Sequence, residues 1–321
     1  MKEAVFIRLN KEKWRSYEES IKNISQQTPN HLTDIYIDLT NDLSFAQTQY
    51  PNSFITLYLN SLSAKLHQFI HRKKKKKLSS FFRFWKVDAP LAIHESQKEL
   101  RYSFIIFITA VIIGCFSTIM DPDFARLILS DNYIEMTLKN ISNDDPMAVY
   151  KDENMSDMFF GITLNNIRVS FNTFAAGLLT SLGTGYFILY NGIMVGAFQT
   201  FFYNEGLLWT SFLTIWIHGT IEMSELILAG AAGIVMGNGL LFPGTYTRLQ
   251  SFRRSARRGI KLIICGIPMV IFAGFLESFV TRLTDMPDFL KIAIIALSLA
   301  FVLFYYIWYP KKVAIKHNKN N

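Results

Sequence analysis

Five stretches of this chain are apolar, nearly free of charge and, as helices, long enough to cross about 30 Å of hydrocarbon. They run Phe104–Met120, Val169–Ser181 continuing through a glycine-rich point to Phe187–Phe202, Phe212–Val235, Leu262–Val280 and Ile292–Trp308. Windows of this length and apolarity read as membrane-spanning helices. The expected fold is therefore all-α: a polytopic transmembrane bundle of about six spans, with an N-terminal cytosolic helical domain. Half of the 321 residues are hydrophobic and 18% are charged, a balance that argues against a soluble globular enzyme.

Charge alternates between the spans. Residues 1–101 carry 17 Lys and Arg against 10 Asp and Glu, residues 121–160 carry 3 against 9, and residues 238–262 carry 6 against none. Positive residues flank membrane spans on the cytoplasmic side, so six crossings place both termini in the cytoplasm and the acidic loop outside, in the cytoplasmic (inner) membrane. The same rule accounts for the net charge of +8 without nucleic acid, which is not expected as a partner. Cys115 and Cys265 both fall in apolar stretches and offer no disulfide framework. The opening MKEAVFIRLNKEKW has no apolar core with a cleavage site, so the first span is expected to direct insertion.

Three domains are expected. Residues 1–101 form the cytosolic helical domain, with helices near Trp14–Ser25 and Leu32–Gln49 and a third capped by Ser53 and running to Ile70. Ile35, Leu39, Leu43 and Ala46 recur on one helical face. The block Lys73, Lys74, Lys75, Lys76 and Lys77, followed by aromatics through Trp85, reads as an anchor on anionic membrane lipid. Residues 102–310 form the bundle, including the external loop 121–160, which either binds a partner or is a partly disordered connector with surface helices. Residues 311–321 are a basic cytosolic tail.

The fourth apolar stretch carries the sharpest chemical signal. His218, Glu222 and Glu225 stand at i, i+4 and i+7 on one helical face. Ionisable groups at membrane depth cost about 2.5–3.5 kcal/mol to insert, so they are expected to have partners. Glu277 supplies a second buried carboxylate, and Asn166, Asn191 and Arg168 supply polar groups, with Arg168 or an amide neutralising a carboxylate. Three roles follow: interhelical glue, a proton or ion path, or metal-dependent hydrolysis. The last falls short on ligands, since His218 is the only one of six histidines within a span and no H-E-x-x-H is present. No metal, cofactor or catalytic residue is expected on this reading.

Glycines give a second signal. Gly192 and Gly196 form G-x-x-x-G, while Gly177, Gly219, Gly230 and Gly233 allow backbones to approach closely. Such faces pack helices within a chain or between copies, so a homo-oligomer is a reasonable expectation. The glycines between 165 and 204 leave two forms open, two full crossings with a tight turn or a pair of re-entrant helices.

Three ordered segments, NNIRVSFNTFAAGLLTSLGTGYFILYNGIMVGAF (165–198), HGTIEMSELILAGAAG (218–233) and GIPMVIFAGFLESFVT (266–281), resemble the successive signatures of the stage II sporulation protein M family. Residues 32–70 are similar to the cytosolic extension of that family's longer, non-sporulation members. The resemblance implies a bacterial integral membrane scaffold without established catalysis. In spore formers it recruits peptidoglycan-degrading enzymes; the long N-terminal domain departs from that short form. Asn166, Arg168, Gly177, Asn191, Gly192 and Gly196 match the family pattern, as do His218, Gly219, Glu222, Gly230, Gly233 and Glu277, whereas Glu225 does not. The expected function is a non-enzymatic scaffold that recruits envelope or membrane proteins, with an ion- or proton-coupled transporter as the alternative.

Overall fold

The computed structural model describes residues 1–23, 27–70, 78–150 and 154–319. It divides into two compact units at Lys77–Leu78, upstream of the expected boundary at residue 101. The shift has a simple cause: Ala89, Ala92 and Ile93, between the two positions, are almost wholly buried in the core of the second unit.

The first unit holds α1 (Glu3–Lys22), α2 (Pro29–Gln49) and α3 (Phe54–Ile70). The apolar face expected on α2 is buried as a whole: Ile35, Leu39, Leu43 and Ala46 meet Leu59, Leu62 and Leu66 of α3 and Phe6 and Trp14 of α1. Polar contacts fix α1 against α2. The Trp14 indole and Lys13 ammonium each reach Asp42 at 2.7 Å, and the Tyr17 hydroxyl donates to Asp38 at 2.7 Å.

The second unit begins with α4 (Leu78–Arg83) and α5 (Ala89–Glu95), followed by α6 (Gln97–Met120). The acidic connection contains α7 (Asp123–Leu129) and α8 (Asp131–Ser142), and then come α9 (Met155–Ala175) and α10 (Thr180–Asn204). The long α11 (Leu208–Leu241), α12 (Arg248–Phe275, extended by a wider turn to Thr281), α13 (Asp288–Leu303) and α14 (Tyr309–Lys319) complete it. Among the described residues, five helical stretches are long and apolar enough to span a membrane: Gln97–Met120, Met155–Asn204, Leu208–Leu241, Arg248–Thr281 and Asp288–Asn318.

The second stretch doubles back on itself. A short turn at Ala176–Leu179 separates α9 from α10, and the Thr184 hydroxyl donates to the Thr173 carbonyl at 3.1 Å, a contact that a straight helix would hold about 16 Å apart. Thr180 bends the chain with φ 72°, in the left-handed region. The arms of 21 and 25 residues are continuous helices, each of spanning length.

At the centre of the bundle, α11 contacts α6, α9, α10, α12 and α13. Its AGAAGIVMGNG segment makes this crowding feasible, because small side chains let neighbouring backbones close in. One end of the bundle is basic: Arg253, Arg254, Arg257, Arg258 and Lys261 line a cavity of about 1100 Å³ with Asp88 and Glu95. The opposite end carries α7 and α8, whose Ala125 and Ile134 share a core with Phe201 and Phe202 of α10. The described part of the acidic loop is thus folded onto the bundle.

The glycines behave unequally. A Cβ on Gly192 would stand 2.8 Å from the Phe107 carbonyl, and one on Gly196 would strike the Val111 backbone, so G-x-x-x-G is used within the chain, against α6. Gly177 meets the Gly233 backbone, Gly233 meets Thr184, and Gly230 meets Ser103 and Ile188. Gly219 corrects the expectation: a Cβ there would touch only Ile215 of its own helix at 3.8 Å, and the residue lines a cavity instead of a helix contact.

Candidate functional site

The middle of α11 presents its ionisable face to α9 and the end of α12. His218 is buried, and its Nδ1 lies 2.9 Å from the Thr281 hydroxyl. Its Nε2 faces the Glu277 carboxylate at 3.9 Å. Glu222, one turn along from His218, is in side-chain contact with Glu277 and accepts a hydrogen bond from the Asn166 amide. Ligand-type atoms of His218, Glu222 and Glu277 all lie within 4.8 Å of one another.

The position of Glu277 depends on local backbone geometry. Residues Leu276–Thr281 form a π-helical turn at the end of α12, wider than an α-turn. At about 4.4 residues per turn, Glu277 and Thr281 project to one side, and both meet His218. Gly274, just before the wide turn, packs against Thr163 of α9, which holds this end of α12 close to the cluster.

Glu225 sits apart from this group. It is 3% exposed, accepts a hydrogen bond from the Ser170 hydroxyl of α9, and lies against Gly266 of α12. A Cβ at residue 266 would stand 2.6 Å from its Oε1, so the absence of a side chain there makes room for the carboxylate. The face expected from spacing alone therefore serves two sites, His218–Glu222–Glu277 with Asn166, and Glu225 with Ser170.

Two expected members are elsewhere. Asn191 donates to the Phe187 carbonyl of its own helix at 2.8 Å, which settles its amide within α10. Arg168 is exposed on α9, on a different face from Asn166 and Ser170, so the Asn166 amide rather than the guanidinium reaches a carboxylate. Arg168 shares its outer face with Asn165 and Asn172, also exposed and spaced three and four residues from it. Asn166 and Ser170 bond to Glu222 and Glu225, near the midpoint of α11, so Arg168 lies level with the middle of the bundle. Among the described residues no ion pair reaches it.

Sequence reasoning missed Ser170, Thr281 and Gly266. Ser170 follows Asn166 by one turn on the face that meets α11, which is a usable signal once the helix is known to start at Met155. Lys73–Lys77 lie outside the described residues. Trp85 is half-buried against the bundle; its carbonyl accepts from the Tyr305 hydroxyl at 3.0 Å, and its ring packs edge-on against Phe84.

Two cavities adjoin the cluster. One of about 370 Å³ is lined by Met158, Gly161, Asn165, Asn166, Glu222 and Glu277. The other, about 390 Å³, is lined by His218, Gly219 and Glu222 together with Leu129 and Tyr133 from the acidic end.

The bundle's features agree with its likeness to known proteins. No curated protein and no solved structure matches the chain. Residues 4–72, the helical first unit, match a family described as a domain of unknown function (DUF8413). Residues 103–282, from the start of α6 through the wide turn carrying Glu277 and Thr281, match the family Stage II sporulation protein M. This stretch covers more than half of the chain and all of the cluster, so the protein is a multi-pass membrane protein that belongs to the stage II sporulation protein M family.

Proposed function

We propose that the protein is a non-enzymatic scaffold of a cell-envelope complex, seated in the cytoplasmic membrane with both termini in the cytoplasm. The observation that carries this reading is the outer face of α9. Asn165, Arg168 and Asn172 are exposed alongside Leu164 and Phe171, at the depth of the bundle's middle. Facing lipid, an arginine at this depth costs about 2.5–3.5 kcal/mol on insertion scales, and a partner that supplies a carboxylate and amide-bonding groups offsets that cost. The occupant that fits is a transmembrane helix of another envelope protein with an Asp or Glu at mid-depth. A second copy meeting α9 to α9 would set Arg168 against Arg168, and Gly192–Gly196 is already used inside the chain.

The basic end supports the proposed orientation and a role for anionic lipid, since its arginines would face the negatively charged cytoplasmic leaflet. The His218–Glu222–Glu277 group holds α9, α11 and the end of α12 in register. The test is purification from native membranes of the wild type, Arg168→Glu and Glu222→Gln, with bound proteins identified by mass spectrometry. The expected result is a set of membrane proteins retained by wild type and Glu222→Gln and lost by Arg168→Glu. Retention of the same set by Arg168→Glu contradicts the proposal.

One observation favours a second reading, ion- or proton-coupled transport: Glu222 lines both cavities beside the cluster. Flux in proteoliposomes that disappears in Glu222→Gln, with the protein still folded, would support it.

A further inference from the structure

Glu222 and Glu277 bring carboxylate oxygens within 4.8 Å of each other inside an apolar bundle, and a proton or a cation between them offsets the cost of burying two acids together. The third group at this point is an imidazole nitrogen. We infer that His218, Glu222 and Glu277 form a binding site for a divalent transition-metal ion of the zinc class, ligated by Nε2 of His218 and one oxygen from each carboxylate.

Four features of the geometry support the assignment. First, it is the group of three His, Cys, Asp or Glu among the described residues whose ligand atoms converge, all within 4.8 Å. Two ligands of a tetrahedral ion, each bound at about 2.0–2.2 Å, stand roughly 3.4 Å apart. The 3.9 Å between Nε2 and Glu277 is too long for a hydrogen bond and within about half an ångström of that spacing, so small side-chain rotations close the site.

Second, two ligands have the outer partners that metal sites use to fix orientation. When Nδ1–H donates to the Thr281 hydroxyl, the Nε2 lone pair points to the carboxylates, and the Asn166 amide holds Glu222. Third, the ligands come from two rigid elements: His218 and Glu222 are one turn apart on α11, and the wide turn ending α12 aims both Glu277 and Thr281 at His218. Fourth, the cavity of about 370 Å³ beside Glu222 and Glu277 leaves space for a water or other small ligand as the fourth donor.

One nitrogen and two carboxylate oxygens, with no thiolate, suit zinc, manganese or iron(II) rather than a soft ion. This revises the expectation that no metal binds. The ligand count looks short in sequence because Glu277 is remote from His218 and a carboxylate takes the place of a second histidine. Bound there, the ion ties the middle of α11 to the end of α12.

The test uses the full chain in lipid nanodiscs, purified with an affinity tag that contains no histidine, stripped with chelator and then exposed to zinc or manganese. Elemental analysis after desalting should find one ion per chain in the wild type and at least tenfold less in both His218→Ala and Glu277→Gln. Glu225→Gln, outside the trio, should keep the ion. Zinc should also raise the unfolding temperature of the wild type and leave that of Glu277→Gln, a nearly isosteric change, unmoved. A wild type that takes up neither ion, or equal metal in wild type and Glu277→Gln, overturns the assignment and leaves a shared proton as the bridge. Loss of the ion in Glu225→Gln to the same extent overturns the assignment to these three ligands.

Discussion

Glu225 and Gly266 are steric complements: the carboxylate on α11 fills the space that a side chain at residue 266 on α12 would need. The Ser170 hydroxyl then completes the contact from α9, so one buried acid fastens three helices. Gly266→Ala should lower stability by about 1–3 kcal/mol through overpacking against a group that cannot move without losing its hydrogen bond. In a double-mutant cycle, Glu225→Ala should remove most of the penalty of Gly266→Ala, read as thermal midpoints in one detergent. Additive losses would contradict the contact.

Thr180 occupies φ 72° and ψ 176° at the turn between α9 and α10. That region is close to glycine-only and costs a β-branched residue roughly 1–3 kcal/mol. Thr180→Gly should therefore raise the unfolding temperature, although glycine ordinarily destabilises helices. An unchanged or lower midpoint would show that the turn is built differently.

Tyr17, outside the membrane bundle, has its hydroxyl pushed up to about 12 by burial first, and then by its hydrogen bond to Asp38 and the nearby Asp42. Lys13 is the cation beside the same two carboxylates. Because the folded value exceeds the ordinary 10, the unfolded chain loses its proton first as pH rises. The stabilisation is fully present below pH about 10 and is lost toward pH about 12. Following Trp14 fluorescence during unfolding, Tyr17→Phe should flatten this alkaline loss; an identical slope would remove Tyr17 as its source.

How much of this was legible in the sequence depended on where polarity fell. The apolar stretch of α6 and the cluster face of α11 were readable, because long uncharged runs and i, i+4 spacing are local signals. The start of α9 was not: Asn165, Asn166 and Arg168 depress its apolarity, and the expected span began only at Val169, while the helix begins at Met155. Asn166 bonds to Glu222 while Arg168 is exposed on another face, and only the helical phase distinguishes the two. Thr281 and Gly266 lay beyond reach because their roles depend on a wide turn and on a tertiary contact that no local pattern encodes. Gly219 looked like the other glycines in sequence and differs only in what lies opposite it.

In-membrane photocrosslinking reads whether the outer face of α9 receives a partner helix, as proposed. A photoreactive residue placed at Asn165 or Asn172 should give a discrete protein adduct that disappears in Arg168→Glu, whereas one at Leu297 of α13, 71% exposed, should give none. No adduct from α9, or adducts of equal yield from α9 and Leu297, would contradict the account.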